Sequence, residues 1–321
     1  MLFSIIIPFY NCEKHIRKSL TSAINQTLSN KHYEVIAIND LSKDRSLEIA
    51  KKIIHKENNC RLITVKKKTI GVGFARNYGL KSSKGKYIYF LDSDDFLKKN
   101  ALYKLKKIID KKKNVDLICN NYKVINRSKN RIKRYRFDLN LLKSDNKKEL
   151  IKNFFDLSIV PQVISNLIKK KLIKKNKIIF KEGYFEDIYF IFKIFFYSKK
   201  KVILSEKIYC KNNRDNSIVN SLSPEHISDA FKGYISAYNF LKKRKKFYFY
   251  NFFLRAIAGE TAVIIHRIKS YKITRNKKKY YYKVLYRSIK KYVPSAIENY
   301  QFISKKDLKF RDFIYNRNKY F

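Results

Sequence analysis

The residues best equipped for chemistry are acids that follow apolar runs. Asp92, Asp94 and Asp95 come directly after YIYFL, and Asp40 comes directly after YEVIAIN. Three carboxylates at the end of one strand repel one another unless a cation compensates them, and hard cations take carboxylate oxygens. A metal held there can bind a diphosphate and take up charge on a leaving group. The same DSDD segment also reads as a plain turn, because Asp and Ser favour turns. A second acid pair, Glu186 and Asp187, stands in GYFEDIYF before an aromatic run. By itself the pair suits a helix start, where the helix dipole favours negative charge. Arg76, in GFARNYG, is a cation able to pair with Asp92 or a neighbouring acid.

Such residues need a frame. Phe3–Ile7 is a continuous apolar run stopped by Pro8, the pattern of a strand buried in a parallel sheet. Tyr33–Asn39, Arg61–Val65, Tyr87–Leu91 and Val115–Cys119 read as further strands. Helical spacing lies between them: Ile16, Leu20, Ala23 and Ile24, then Ser46–His55, Val72–Leu80 and Asn100–Asp110. This alternation predicts an open, mostly parallel sheet with helices on both faces. Ligands of such sheets bind beyond the carboxyl ends of the strands, which is where Asp40 and the Asp92–Asp95 cluster fall. Residues 124–145 are basic and irregular and read as a linker. Helical patterns return at Lys148–Phe155 and Val163–Leu172, and a short strand is expected at 178–180. Beyond residue 223 the pattern is helical.

A chain of 321 residues accommodates one large α/β domain and an appended region. A hydrophobic share of 45% excludes a disordered protein. The formal net charge is +48, of which residues 1–110 carry only +12. That balance suits an anionic partner, although lysine-rich, AT-rich coding gives the same charge with no partner at all. Cys12, Cys60, Cys119 and Cys210 form no CxxC pair, which argues against a metal knuckle or disulfide framework and fits reduced thiols. The N-terminus lacks the features of a signal peptide. No 18-residue apolar window occurs, so no membrane-spanning helix is expected.

Four segments, SIIIPFYN, AINDLSKDRS, GVGFARNYG and YIYFLDSDD, resemble in their order and spacing the family 2 glycosyltransferases of the GT-A fold. The resemblance runs from residue 3 to about 120 and continues more weakly, through GYFEDIYF, to about 220. It implies a Rossmann-like α/β fold with a mostly parallel central sheet flanked by helices, to which the helical pattern beyond residue 223 adds a C-terminal extension. The chain then has three parts: a nucleotide-sugar half (1–122) and an acceptor and catalytic-base half (123–222), both by resemblance, and a basic aromatic helical region (223–321). By the same resemblance Pro8, Tyr10 and Asn11 lie near a uracil, and Asp40 accepts a hydrogen bond from its edge. In this family the residue after that acid is often part of a DDGS segment, where this chain has NDLS and places Leu41 in the glycine's position. Arg76 would reach the diphosphate or the metal-binding acids. Asp92 would meet ribose or metal-bound water, Ser93 the donor, and Asp94 the metal directly, with Mn²⁺ or Mg²⁺ as the ion. Asp187 would be the general base, with Glu186 beside it. Tyr209, Arg214 and Ser217 fit a loosely spaced downstream motif whose arginine closes over the diphosphate.

The resemblance thus implies an inverting, metal-dependent transfer from a UDP-sugar to a glycan or lipid-linked acceptor, forming a β-linkage. Lipooligosaccharide, O-antigen or capsule synthesis in a bacterium is the expected setting. Residues 241–321 hold 23 Lys and Arg against four acids, together with 19 Phe and Tyr. Basic and aromatic residues interleaved in this way suit an anionic membrane surface, plain helical packing, or single-stranded nucleic acid. Beside a glycosyltransferase the membrane ranks first and nucleic acid last, which places the protein in the cytoplasm at the inner face of the membrane. The alternative from another class is a nucleic-acid-binding protein using the α/β part as scaffold.

Overall fold

The structure is a computed structural model, and it describes residues 1–66, 71–125, 139–144, 146–159, 162–212, 222–294 and 305–321. Among the described residues eight strands form one sheet: β1 (Phe3–Phe9), β2 (Tyr33–Asn39), β3 (Cys60–Thr64), β4 (Tyr87–Phe90), β5 (Phe96–Leu97), β6 (Leu117–Ile125), β7 (Asn166–Lys169) and β8 (Lys201–Asn212). Their order is β3-β2-β1-β4-β7-β6-β8-β5. The helices in the same part of the chain are α1 (Ile16–Ile24), α2 (Ser46–Ile54), α3 (Gly73–Ser82), α4 (Ala101–Lys111), α6 (Lys170–Lys175) and α7 (Asp187–Tyr197). The remaining α-helices among the described residues are α5 (Lys147–Phe155), α8 (Pro224–Asp229), α9 (Lys232–Lys242), α10 (Tyr250–Ser270), α11 (Arg275–Tyr292) and α12 (Lys305–Tyr315). The chain divides into two compact units, one carrying the sheet with α1–α4, α6 and α7, the other carrying α5 and α8–α12.

Every residue of β1, β2 and β4 is buried. Continuous burial needs cover on both faces, which is why these strands read as unbroken apolar runs rather than alternating ones. β1 pairs in parallel with β2 and β4, and β2 with β3, as the βαβ spacing predicts. The far half is mixed: β7 runs antiparallel to both β4 and β6, and β5 antiparallel to β8.

The strand predicted to stop at Pro8 continues to Phe9, with Pro8 opposite Ile38 and Phe9 opposite Asn39. The β4 ladder on the other side ends earlier: its last pair is Ile6 with Phe90, and Leu91 then donates to the Ile6 carbonyl at 3.0 Å. By alternation Pro8 faces β4 as Ile6 does, so its missing N–H falls beyond the last pair of that ladder. The helix expected over 163–172 is instead β7 followed by the single short helix α6. NLIK fits either period, and pairing on both edges decides for the strand. Residues 178–180 are not a strand. Phe180 is held instead by Asn77, whose carboxamide donates to its carbonyl at 2.8 Å and accepts from its N–H at 3.0 Å. The Phe180 ring stacks on Phe190 of α7, with centroids 3.8 Å apart.

Leu41 occupies the left-handed region, with φ of 58°. A leucine there is strained, and glycine is not. Leu41→Gly is therefore expected to raise unfolding free energy by about 0.5–1 kcal/mol, the strain relieved less the added freedom of the unfolded chain. A urea melt checks this. A less stable variant would mean that the half-buried leucine side chain contributes more than its backbone strain removes.

Candidate active site

The parallel run of β2, β1 and β4 brings their carboxyl ends to one edge of the sheet. There the buried Asp40 donates its N–H to the Phe9 carbonyl at 2.8 Å. Tyr10 follows β1 with 39% of its surface exposed. Asn11, at φ 43°, joins this loop to the one after β2: its carboxamide oxygen accepts from the Lys43 N–H at 2.8 Å, and its own N–H donates to Ser42 Oγ at 3.2 Å. Pro8 is buried within β1. Asp92, Ser93 and Asp94 are half-buried beyond β4, and Asp95 is buried.

The carboxylates of Asp92, Asp94 and Asp95 come within 4.8 Å of one another. Asp95 is fixed from β8: Tyr209 donates its hydroxyl to Asp95 Oδ2 at 2.6 Å, and the Asn212 N–H donates to Oδ1 at 2.7 Å. The same Tyr209 oxygen accepts from the Asp92 N–H at 3.2 Å. Burial, with the charges of Asp92 and Asp94 added, pushes the Asp95 carboxyl up to about 7. Burial alone would lower the Lys211 ammonium, but the charges of Asp95 and Asp92 outweigh it and hold its pKa raised. Lys211 thus experiences the field of the cluster, and its ammonium lies 5.9 Å over the Tyr122 ring.

Arg76 links this cluster to α7. Its guanidinium, 4% exposed, donates to Asp92 Oδ1 at 2.9 Å and, through its other terminal nitrogen, to Glu186 Oε1. Two close approaches allow this. A Cβ on Gly71 would lie 2.2 Å from the Gly183 carbonyl oxygen, and one on Gly73 would lie 2.8 Å from that of Lys181. Gly71 also has φ of 80°, a conformation glycine adopts without strain. The start of α3 therefore presses directly on the 181–186 turn. Burial pulls the Arg76 guanidinium down, but Asp92 and Glu186 outweigh it and keep it firmly charged. Burial raises Glu186 despite Arg76. Burial, and Glu186 beside it, push Asp187 up to about 7. A carboxyl whose pKa lies near neutrality is well matched to proton transfer at neutral pH.

The structure thus joins Arg76, Asp92 and Glu186 by direct ion pairs, sets Asp94 and Asp95 beside Asp92, and starts α7 at Asp187. Pro8, Tyr10, Asn11 and Asp40 share the same strand edge. Arg214 and Ser217 lie outside the described residues. Asn77, which pins the Phe180 backbone, escaped the sequence reading. Its adjacency to Arg76 in the ARN segment was the available signal.

An acid cluster beyond a parallel edge, bridged by a buried arginine to a second acid pair, completes an α/β domain of the GT-A kind. The profile of Glycosyl transferase family 2 matches residues 4–198, and the chain belongs to that family. A poly(ribitol-phosphate) beta-glucosyltransferase of Bacillus spizizenii is 32% identical over 245 residues, covering 74% of this chain and 37% of that protein. A cholesterol galactosyltransferase of Borreliella burgdorferi is 31% identical over 238 residues, covering 70% of this chain and 64% of that protein. The chain thus spans less than two thirds of either relative. In fold it is similar to the crystal structure of S. aureus TarS 1-349 in complex with UDP-GlcNAc: TM-score 0.64 at 20% identity, covering 99% of this chain and 92% of that one.

Proposed function

We propose that this glycosyltransferase is inverting and moves a sugar from a UDP-sugar to a hydroxyl of a glycan or lipid-linked acceptor, forming a β-linkage. The observation that carries the proposal is the Arg76 bridge, which ties the three-acid cluster to the Glu186–Asp187 pair. Asp187 takes the acceptor hydroxyl's proton as that oxygen attacks the anomeric carbon. The bond from that carbon to the diphosphate breaks, its electron pair leaves with UDP, and one in-line displacement inverts the centre. Glu186 holds Arg76 and sets the field around Asp187.

The donor set of Asp92 and Asp94 is all oxygen, concentrated and negatively charged, which fits Mn²⁺ or Mg²⁺. Asp94 and the free oxygen of Asp92 would hold the ion, while Asp95 is kept in place by Tyr209 and Asn212. When bound, the ion neutralises charge developing on the diphosphate. Pro8, Tyr10 and Asn11 would meet the uracil, Asp40 its imide N–H, and Ser93, Arg76, Arg214 and Ser217 the rest of the donor. Residues 1–122 serve as the donor half in this reading, residues 123–222 as the acceptor and base half, and residues 223–321 as the basic extension. The relatives' names, a ribitol-phosphate polymer for one and a sterol for the other, support a cell-surface or lipid acceptor. No helix among the described residues is long and apolar enough to cross a membrane. The basic extension supports peripheral binding at the inner face of the cytoplasmic membrane, in lipooligosaccharide, O-antigen, capsule or related polymer synthesis.

UDP titrated by calorimetry with Mn²⁺ and with EDTA tests the donor site. Asp94→Ala is expected to weaken metal-supported UDP binding by roughly 10–100-fold, the scale of one lost contact to a charged group. Equal UDP affinity in EDTA and in Mn²⁺ would refute the metal-dependent reading.

A further inference from the structure

The turn between α9 and α10 carries an arrangement that the transfer chemistry does not use. Residues 242–248 read KKRKKFY, and no acid occurs from residue 230 to residue 259. The helix ends in a Schellman arrangement: Lys246 donates its N–H to the Leu241 carbonyl at 3.1 Å, Lys245 donates to Lys242 at 2.9 Å, and Lys245 sits at φ 56°. Glycine is favoured at that left-handed position, so a lysine there retains charge against a backbone preference. Lys242, Lys243 and Lys245 are exposed. Two aromatic side chains follow at once, Phe247 with 53% and Tyr248 with 51% of its surface exposed, while Phe249 beyond them is fully buried and anchors the turn. The Tyr248 ring lies 5.3 Å from the Lys148 ammonium and 5.9 Å from that of Lys246. Lys148 and its exposed neighbour Lys147, in the first turn of α5, therefore add to the same basic patch, with Glu149 following them.

Two adjacent exposed aromatics amid lysines are poorly placed for water and well placed for a lipid interface, where the rings enter the acyl boundary and the ammonium groups stay among phosphates. We infer that the 242–248 turn is the element by which this protein docks on an anionic bilayer. The inference rests on the membrane reading above and names the residues responsible.

The test is co-sedimentation of the full chain with vesicles of phosphatidylcholine alone or with 30% phosphatidylglycerol. Binding to the anionic vesicles alone is expected. Phe247→Ser with Tyr248→Ser should lower the partition coefficient roughly tenfold, from the apolar burial lost. Lys242→Gln, Lys243→Gln and Lys245→Gln together should lower it by about fivefold per lysine at low salt. Circular dichroism and UDP-sugar hydrolysis, both expected unchanged, confirm that each variant is folded. Wild-type binding that neither variant alters would overturn the inference while leaving the membrane reading standing. No wild-type binding at all would overturn both. Aromatic-dependent binding to single-stranded RNA of equal strength, or self-association abolished by the aromatic variant, would reassign the turn to those partners.

Discussion

Asp187→Asn is expected to lower turnover by roughly 10²–10⁴-fold, the usual contribution of a positioned base, while UDP affinity stays near that of the wild type. The substitution keeps the shape of the side chain and removes its proton acceptor. The donor contacts proposed for Asp92 and Asp94 are untouched. The pH profile adds an independent check. Burial and Glu186 push Asp187 up to about 7, and a base works only when deprotonated. Turnover should therefore rise with pH through a limb near neutrality, well above the ordinary aspartate range. A cation on Asp92 would withdraw one of the lesser causes of the shift and leave burial and Glu186, so the limb moves down only in part. Glu186→Gln removes the second-largest cause and should shift the limb to lower pH, with a milder loss of turnover. Near-normal turnover in Asp187→Asn would overturn the base assignment. Were Glu186→Gln the inactive variant instead, the roles would be exchanged.

The frame around these residues was readable where one physical signal dominated. FSIIIPF, YEVIAIN and YIYF are buried on both faces, so their apolar runs are unbroken, and acids of the candidate site come just after the second and third. The signal weakens in the far half of the sheet. β7 has four residues and is defined by partners on both sides rather than by any pattern of its own. β8 mixes exposed and buried positions along its length, because it pairs with β6 across a register shift and with β5 only at Tyr209 and Cys210. The acids of the candidate site are local in sequence, and spacing finds them. What holds them is not local. The Tyr209–Asp95 bond spans 114 residues and the Arg76–Glu186 pair spans 110. Nothing in either segment alone announces its partner. The pinning of Phe180 by Asn77, across 103 residues, is of the same kind.

Arg76→Met is expected to destabilise the fold by about 3–5 kcal/mol, the range for removing one partner of a buried ion pair. The arginine is buried, and its two terminal nitrogens meet Asp92 and Glu186 on opposite branches of the fork. Its removal leaves Glu186 and Asp187, already raised by burial, without the foremost group that opposes the rise. The sign of the pH dependence follows. A carboxyl whose folded pKa lies above its unfolded value binds more protons when folded, so stability is lost as pH rises through that interval. Raising both carboxyls further extends the loss, and the stability gap between wild type and variant should widen from pH 5 to pH 8. Chemical denaturation at the two values reads this directly. Arg76→Lys retains the charge but offers one compact ammonium in place of a fork, so it can satisfy Asp92 or Glu186 but not hold both. It should recover much of the stability and little of the turnover, because the separation of Asp92 and its neighbouring acids from Asp187 is then no longer fixed by one rigid group. A stability gap that is small and independent of pH would show that the bridge is dispensable to the fold. Full activity in Arg76→Lys would show that charge alone, without the fork, suffices to couple the two halves of the site.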